Sequence, residues 1–166
     1  MKTTSLIVKG ELRLQITLLV LISLVFAGLI HVAEETKKGF VPWFKEFTGF
    51  SISVTEDIVV NIIFLIELEI GALVSNTYPV FSLGAVGFVF INFWFHVIGT
   101  IKLRKYSPGL ISAVFLYFPL SLLTYYLMLS TGTVTPLGLA YSVVISLILY
   151  FGGTYGIHAL YVQRSS

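Results

Sequence analysis

Three side chains that could share one ion or one proton close the first apolar stretch of this sequence. His31, Glu34 and Glu35 stand at offsets of three and four, so a helix puts all three on one face. Imidazole and carboxylate at that spacing can hold a metal or pass a proton. The water interface, where charge is cheap, is the alternative setting for them. Asn92 and His96 form a second pair four residues apart, about 6 Å along a helix axis. Glu67 and Glu69 lie in the middle of another apolar stretch. They are two apart, about 200° around a helix, so they cannot share a face. Asn61 precedes Glu69 by eight residues, about 80° around the axis, which favours Glu69 over Glu67 as its companion. An ionisable group in hydrocarbon costs a few kcal/mol or more and normally faces the interior of a bundle. His158, beside Tyr155, reads as an interfacial anchor.

The elements that must carry these residues are membrane helices. Of the 166 residues, 57% are hydrophobic and only 11% charged, and the mean hydropathy is +0.96. A soluble domain carries about a quarter charged residues. That composition excludes a water-soluble globule, a disordered tail and a nucleic-acid-binding module. The absence of cysteine removes disulfides, thiolate nucleophiles and thiolate metal sites. The expected fold is a single all-α polytopic bundle with about five spans: 14–33, 58–74, 80–101, 110–129 and 137–160. Pro119 is expected to bend the fourth. Gly84-Ala85-Val86-Gly87 inside the third reads as close helix packing. Phe40, Trp43, Phe44, Phe47 and Phe50 recur at three and four, giving either an amphipathic helix in the membrane interface or an aromatic loop packed on the bundle. Lys9, Arg13 and Val25-Phe26-Ala27 imitate a secretory signal, but the apolar run continues past them, so a retained span is expected.

Five spans put the termini on opposite sides. Lys37, Lys38, Lys45, Lys102, Arg104, Lys105 and Arg164 then collect on one side, and Lys2, Lys9 and Arg13 on the other. The richer side should face the cytoplasm, in a cell-membrane protein with its N-terminus outside. On that topology His31, Glu34, Glu35, Asn61, His96 and His158 fall in one leaflet. Asn92, Glu67 and Glu69 fall near the midplane. Such segregation predicts one polar cavity open to one side.

His31-Val32-Ala33-Glu34-Glu35 resembles the signature of the HXXEE-motif family of small multi-pass membrane proteins. Asn92-Phe93-Trp94-Phe95-His96 and Tyr106-Ser107-Pro108-Gly109 resemble that family's asparagine/histidine motif and its Tyr-x-Pro-Gly turn. The resemblance implies a helical membrane fold and implies that His31, Glu34, Glu35, Asn92 and His96 belong together. It implies no activity.

The leading expectation is an intramembrane metal site with enzymatic use on a lipid-like or other hydrophobic small molecule. His31, Glu35, His96, Glu67 and Glu69 are its candidate ligands, a nitrogen/oxygen set suited to zinc, iron or manganese. Glu34 and Asn92 are the candidate catalytic groups, Asn92 orienting His96 or polarising a carbonyl. A proton- or ion-coupled transporter is the second reading, with a homo-oligomer supplying the missing half. A non-catalytic membrane assembly factor, its polar residues gluing helices together, is the third. Membrane lipids are the expected surroundings in every case.

Overall fold

A computed structural model describes residues 2–165. The side chains of residues 2–10, 12, 13, 157 and 160–165 lie outside that description, and with them Lys2, Lys9, Arg13 and Arg164 of the charge count.

The chain is all-α: α1 (Lys2–Lys38), α2 (Phe40–Thr48), α3 (Val54–Leu73), α4 (Pro79–Leu103), α5 (Leu110–Ser112), a π turn (Ala113–Tyr117), α6 (Phe118–Ser130) and α7 (Pro136–Ser165). Among the described residues, four segments are long and apolar enough to cross a membrane: Leu14–Lys38, Pro79–Leu103, Leu110–Ser130 and Pro136–Gly156. The remaining expected span, α3, is a 20-residue helix within the same bundle, packed on α1 and α4. Glu56, Asp57, Glu67 and Glu69 set it apart from the other four.

Small residues let the helices close up. Cβ atoms added to Gly84 and Gly87 of α4 would stand 2.5 Å from Ile145 and 2.0 Å from Ser146 of α7. The Ser146 hydroxyl, buried in that seam, lies 2.9 Å from the Gly84 carbonyl. The Gly84–Gly87 stretch is thus a helix-packing surface. The core around it is built from Leu24, Phe64, Leu83, Val86, Val89 and Tyr117.

The fourth span deviates where Pro119 predicts a bend. Proline lacks an N–H and its ring crowds the preceding turn. The irregularity lies just ahead of it, as five residues of π helix. A π turn adds a residue to the helical ring and re-aims the helix beyond it. Tyr117, at its end, is completely buried.

The aromatic segment is a helix, and it is packed on the bundle. Gly39, at φ 77°, reverses the chain after α1 in a conformation other residues rarely adopt. Trp43 is buried against Gly99, where a Cβ would come within 2.4 Å of the indole. Phe40, Trp43, Phe44 and Phe47 all meet Phe95 of α4. A Lys105–Glu46 ion pair and Lys102 over the Phe47 ring fasten α2 to the end of α4. The stripe therefore closes over one end of α4 with its aromatic side inward.

Candidate metal centre

α1 and α4 carry three side chains to one point. His31 Nε2 and His96 Nε2 each lie 3.3 Å from Oε1 of Glu35. His31 and Glu35 are one helical turn apart, and His96 enters from α4. The three are 1%, 3% and 0% exposed. One ligand atom from each falls within 4.8 Å of the others, and among the described residues this is the group able to surround an ion. Neither Nε2 meets the carboxylate, or anything else described, in hydrogen-bond geometry. Two ring nitrogens are thus buried, convergent and unsatisfied, although buried polar atoms normally find partners.

The opposite nitrogens are occupied. His31 Nδ1 lies 2.9 Å from the Ser112 hydroxyl, and His96 Nδ1 lies 2.8 Å from that of Ser107. The Ser112 hydroxyl donates to the Gly109 carbonyl at 3.1 Å. Toward His31 it can then only accept, which puts the ring proton on Nδ1 and the lone pair on Nε2. Ser107 has the corresponding carbonyl, Pro108, at 3.5 Å. Fixing the outer nitrogen in this way is how proteins prepare histidine ligands.

Ser107 comes from the turn between α4 and α5, and Ser112 is the last residue of α5. At Gly109, φ is 94°. Its missing side chain leaves room for the two imidazoles, whose Cε1 atoms would lie 2.6 Å and 2.9 Å from an added Cβ. The turn is held by Glu34. Its carboxylate accepts from the backbone N–H groups of Ile111 (3.1 Å) and Ser112 (2.8 Å), and from the Tyr106 hydroxyl. A carboxylate on the first N–H groups of a helix is a favourable cap. Partial burial, followed by the bond to Glu34, pushes the Tyr106 phenol up to about 12. Further rings enclose the histidines: Tyr117 lies over His31 at 4.5 Å between centroids, and Trp43 stacks on His96 at 5.9 Å.

A cavity of about 70 Å³ opens beside Glu35, between α3, α4 and α7, with α2 along its edge. Asn61 Nδ2 donates to Glu35 Oε2 at 3.4 Å and to Asp57 Oδ1 at 3.3 Å. Asn92 and Tyr150 line the cavity and form no hydrogen bond with any described residue. His158 lies 3.1 Å from Glu56, whose other oxygen completes a capping box with Ser53.

Of the five ligands proposed from sequence, the structure gathers His31, Glu35 and His96. Glu67 is half-buried and Glu69 exposed, and neither joins the cluster. Asn61 reaches Glu35 and Asp57 rather than Glu69, which stands about 12 Å farther along α3. Glu34 faces the α4–α5 turn, with its oxygens engaged there. Asn92 lines the cavity and makes no bond to His96. His158 is paired with Glu56 on the cavity wall. Ser107, Ser112, Asp57 and Tyr117 were not singled out from the sequence. For Ser107 a signal existed, since it is the variable position of the Tyr-x-Pro-Gly turn. Serines and tyrosines are too common in membrane helices to flag Ser112 and Tyr117, and Asp57 stands just ahead of the second apolar run, where a charge is unremarkable.

Compared with known protein families, residues 22–124 match the one described as "Protein of unknown function with HXXEE motif", well over half of the chain. No curated protein and no solved structure matches the chain.

Proposed function

The chain belongs to the HXXEE-motif family, and from that premise and the cluster it carries we propose that it is a membrane-embedded, metal-dependent enzyme. His31 Nε2, His96 Nε2 and one oxygen of Glu35 hold a divalent transition metal, zinc, iron or manganese. Two imidazoles and one carboxylate are the donor set of catalytic zinc sites and of non-haem iron(II) sites. The observation that carries this reading is the pair of buried, unsatisfied Nε2 atoms converging on Glu35. A proton relay would be served by directed hydrogen bonds at those atoms.

Three protein ligands leave coordination positions free for water or substrate. A bound ion would supply Lewis acidity and a water acidified to near neutrality. The chain's own residues do the rest. Ser112 and Ser107 fix the rings. Asn61 holds the second oxygen of Glu35. Tyr117, Trp43 and Phe40 exclude water from the imidazoles. The cavity beside Glu35, with five phenylalanines in its wall, receives a hydrophobic substrate, and Asn92 positions its polar group. The reading puts the chain in the cell membrane with its N-terminus outside and this cavity toward the cytoplasm. The side richer in Lys and Arg supports that orientation.

Elemental analysis of purified protein tests the metal. About one zinc, iron or manganese per chain is expected, lost in His31→Ala and His96→Ala. Protein prepared without chelators that holds no stoichiometric transition metal, and takes up none of the three when each is added, would overturn the proposal.

A further inference from the structure

The cavity's unpaired polar groups have a pattern of their own. Asn61 turns its Nδ2 toward two carboxylates, Glu35 and Asp57. That orientation is fixed by chemistry, because the reverse would set amide oxygen against carboxylate oxygen. Its Oδ1 then remains, and no described group donates to it. Asn92, opposite on α4, has its Oδ1 sealed from solvent. Its amide Nδ2 is the polar end left to face the space it lines. The Tyr150 hydroxyl, on α7, is also unpartnered. Acceptor and donor therefore stand on separate helices around one aromatic chamber.

We propose, on the basis of the enzymatic reading above, that the cavity recognises a carboxamide: an apolar chain ending in a neutral C(=O)–N–H group. Asn92 Nδ2 donates to its carbonyl and Asn61 Oδ1 accepts its N–H. Phe64, Phe88 and Phe95 take the chain. An ester offers the carbonyl and leaves the Asn61 oxygen unmet, and a buried polar atom stripped of water without a partner weakens binding. A carboxylate also lacks the donor, and it meets Glu56 and Asp57 on the same wall. A hydrolytic turnover would add one water across the C–N bond. The acyl carbon gains the hydroxyl, the nitrogen gains the proton, and carboxylic acid and amine leave.

Equilibrium binding of tritiated decanamide, methyl decanoate and decanoate to the full chain in nanodiscs tests this, with metal bound and after chelation. Decanamide should bind saturably at one site per chain, at least about tenfold more tightly than the other two. Asn61→Leu and Asn92→Leu should each remove that preference. Tyr150→Phe, which deletes one hydroxyl and keeps the ring, should weaken decanamide severalfold if the leucine variants fail to fold. Equal affinity for the ester or the carboxylate, or a preference indifferent to all three substitutions, overturns the inference. Metal content measured on the same samples separates the two claims. Decanamide selectivity without metal leaves this inference standing and removes the enzyme reading, and stoichiometric metal without selectivity does the reverse.

Discussion

A Cβ on Gly109 would stand 2.6 Å from Cε1 of His31, a separation real side chains do not reach. The same atom would meet Glu35 Cγ at 3.0 Å. The α4–α5 turn is thus one wall of the His31–Glu35–His96 cluster as well as the connection between two spans.

Gly109→Ala should therefore cost metal before it costs fold. The left-handed backbone alone penalises alanine by about 1–2 kcal/mol, and the imidazoles must also move. Metal content per folded chain should fall by at least about tenfold. Full occupancy in the purified variant would mean that the turn does not confine the ligands.

Ser112→Ala removes the partner that keeps the proton on His31 Nδ1. Losing such an outer hydrogen bond typically weakens metal binding by about 10–100-fold. Competition against a chromogenic chelator should read that loss in Ser112→Ala and a similar one in Ser107→Ala. Ser112→Thr, which keeps the hydroxyl, should recover part of it.

Glu34→Gln should behave differently from Glu35→Gln. Glu34 caps a turn, so its variant should lose about 1 kcal/mol of stability and melt at lower temperature, with metal retained. Glu35 faces both imidazoles, so its variant should lose metal. Thermal melts and elemental analysis of the two proteins side by side would expose an error here if Glu34→Gln lost metal and kept its melting temperature.

The Tyr106–Glu34 bond gives a signature in alkali. The phenol's proton is held more tightly in the folded chain than at the ordinary tyrosine value of 10.0, up to about 12. A group whose folded pKa is raised stabilises fully below its unfolded value and loses that contribution as pH rises through the folded one. Wild type should accordingly lose stability between pH 10 and 12, and Tyr106→Phe should lose less over that window. Parallel pH profiles for the two would show that the bond contributes nothing.

Gly87→Val tests the α4–α7 seam. A Cβ there would already overlap the Ser146 hydroxyl, at 2.0 Å. Overpacking of this kind costs about 1–3 kcal/mol or more. Reduced folded yield in detergent is expected, and an unchanged melting temperature would contradict the packing described.

Much of this was legible in residue order alone, for identifiable reasons. Four long apolar helices followed from apolar length, and close packing at Gly84 and Gly87 from their small size, whereas α7 as the partner did not. That His31, Glu35 and His96 meet followed from helical spacing and from which ends of the spans share a side. Glu34 was harder. Offsets of three and four put it near the same face as Glu35, and only the path of the α4–α5 turn decides that it bonds Ile111 and Ser112. Glu67 and Glu69 attracted attention because acids in hydrocarbon are costly, yet cost does not reveal direction. The serines holding the imidazoles are invisible to any spacing rule, since Ser107 acts from the α4–α5 turn and Ser112 from α5, far from both histidines in sequence. The rotation of the aromatic stripe toward α4 likewise depends on Gly99 making room for Trp43.

The centre's parts are unevenly distributed along the chain. Ligands, serine props and the covering Tyr117 are all supplied between residues 31 and 117, whereas the α7 wall of the chamber, Tyr150, Thr154 and His158, arrives last. On the metal-site proposal, the nascent chain would hold all three candidate ligands before the final helix is made, and that helix would then supply the last wall of the cavity beside them.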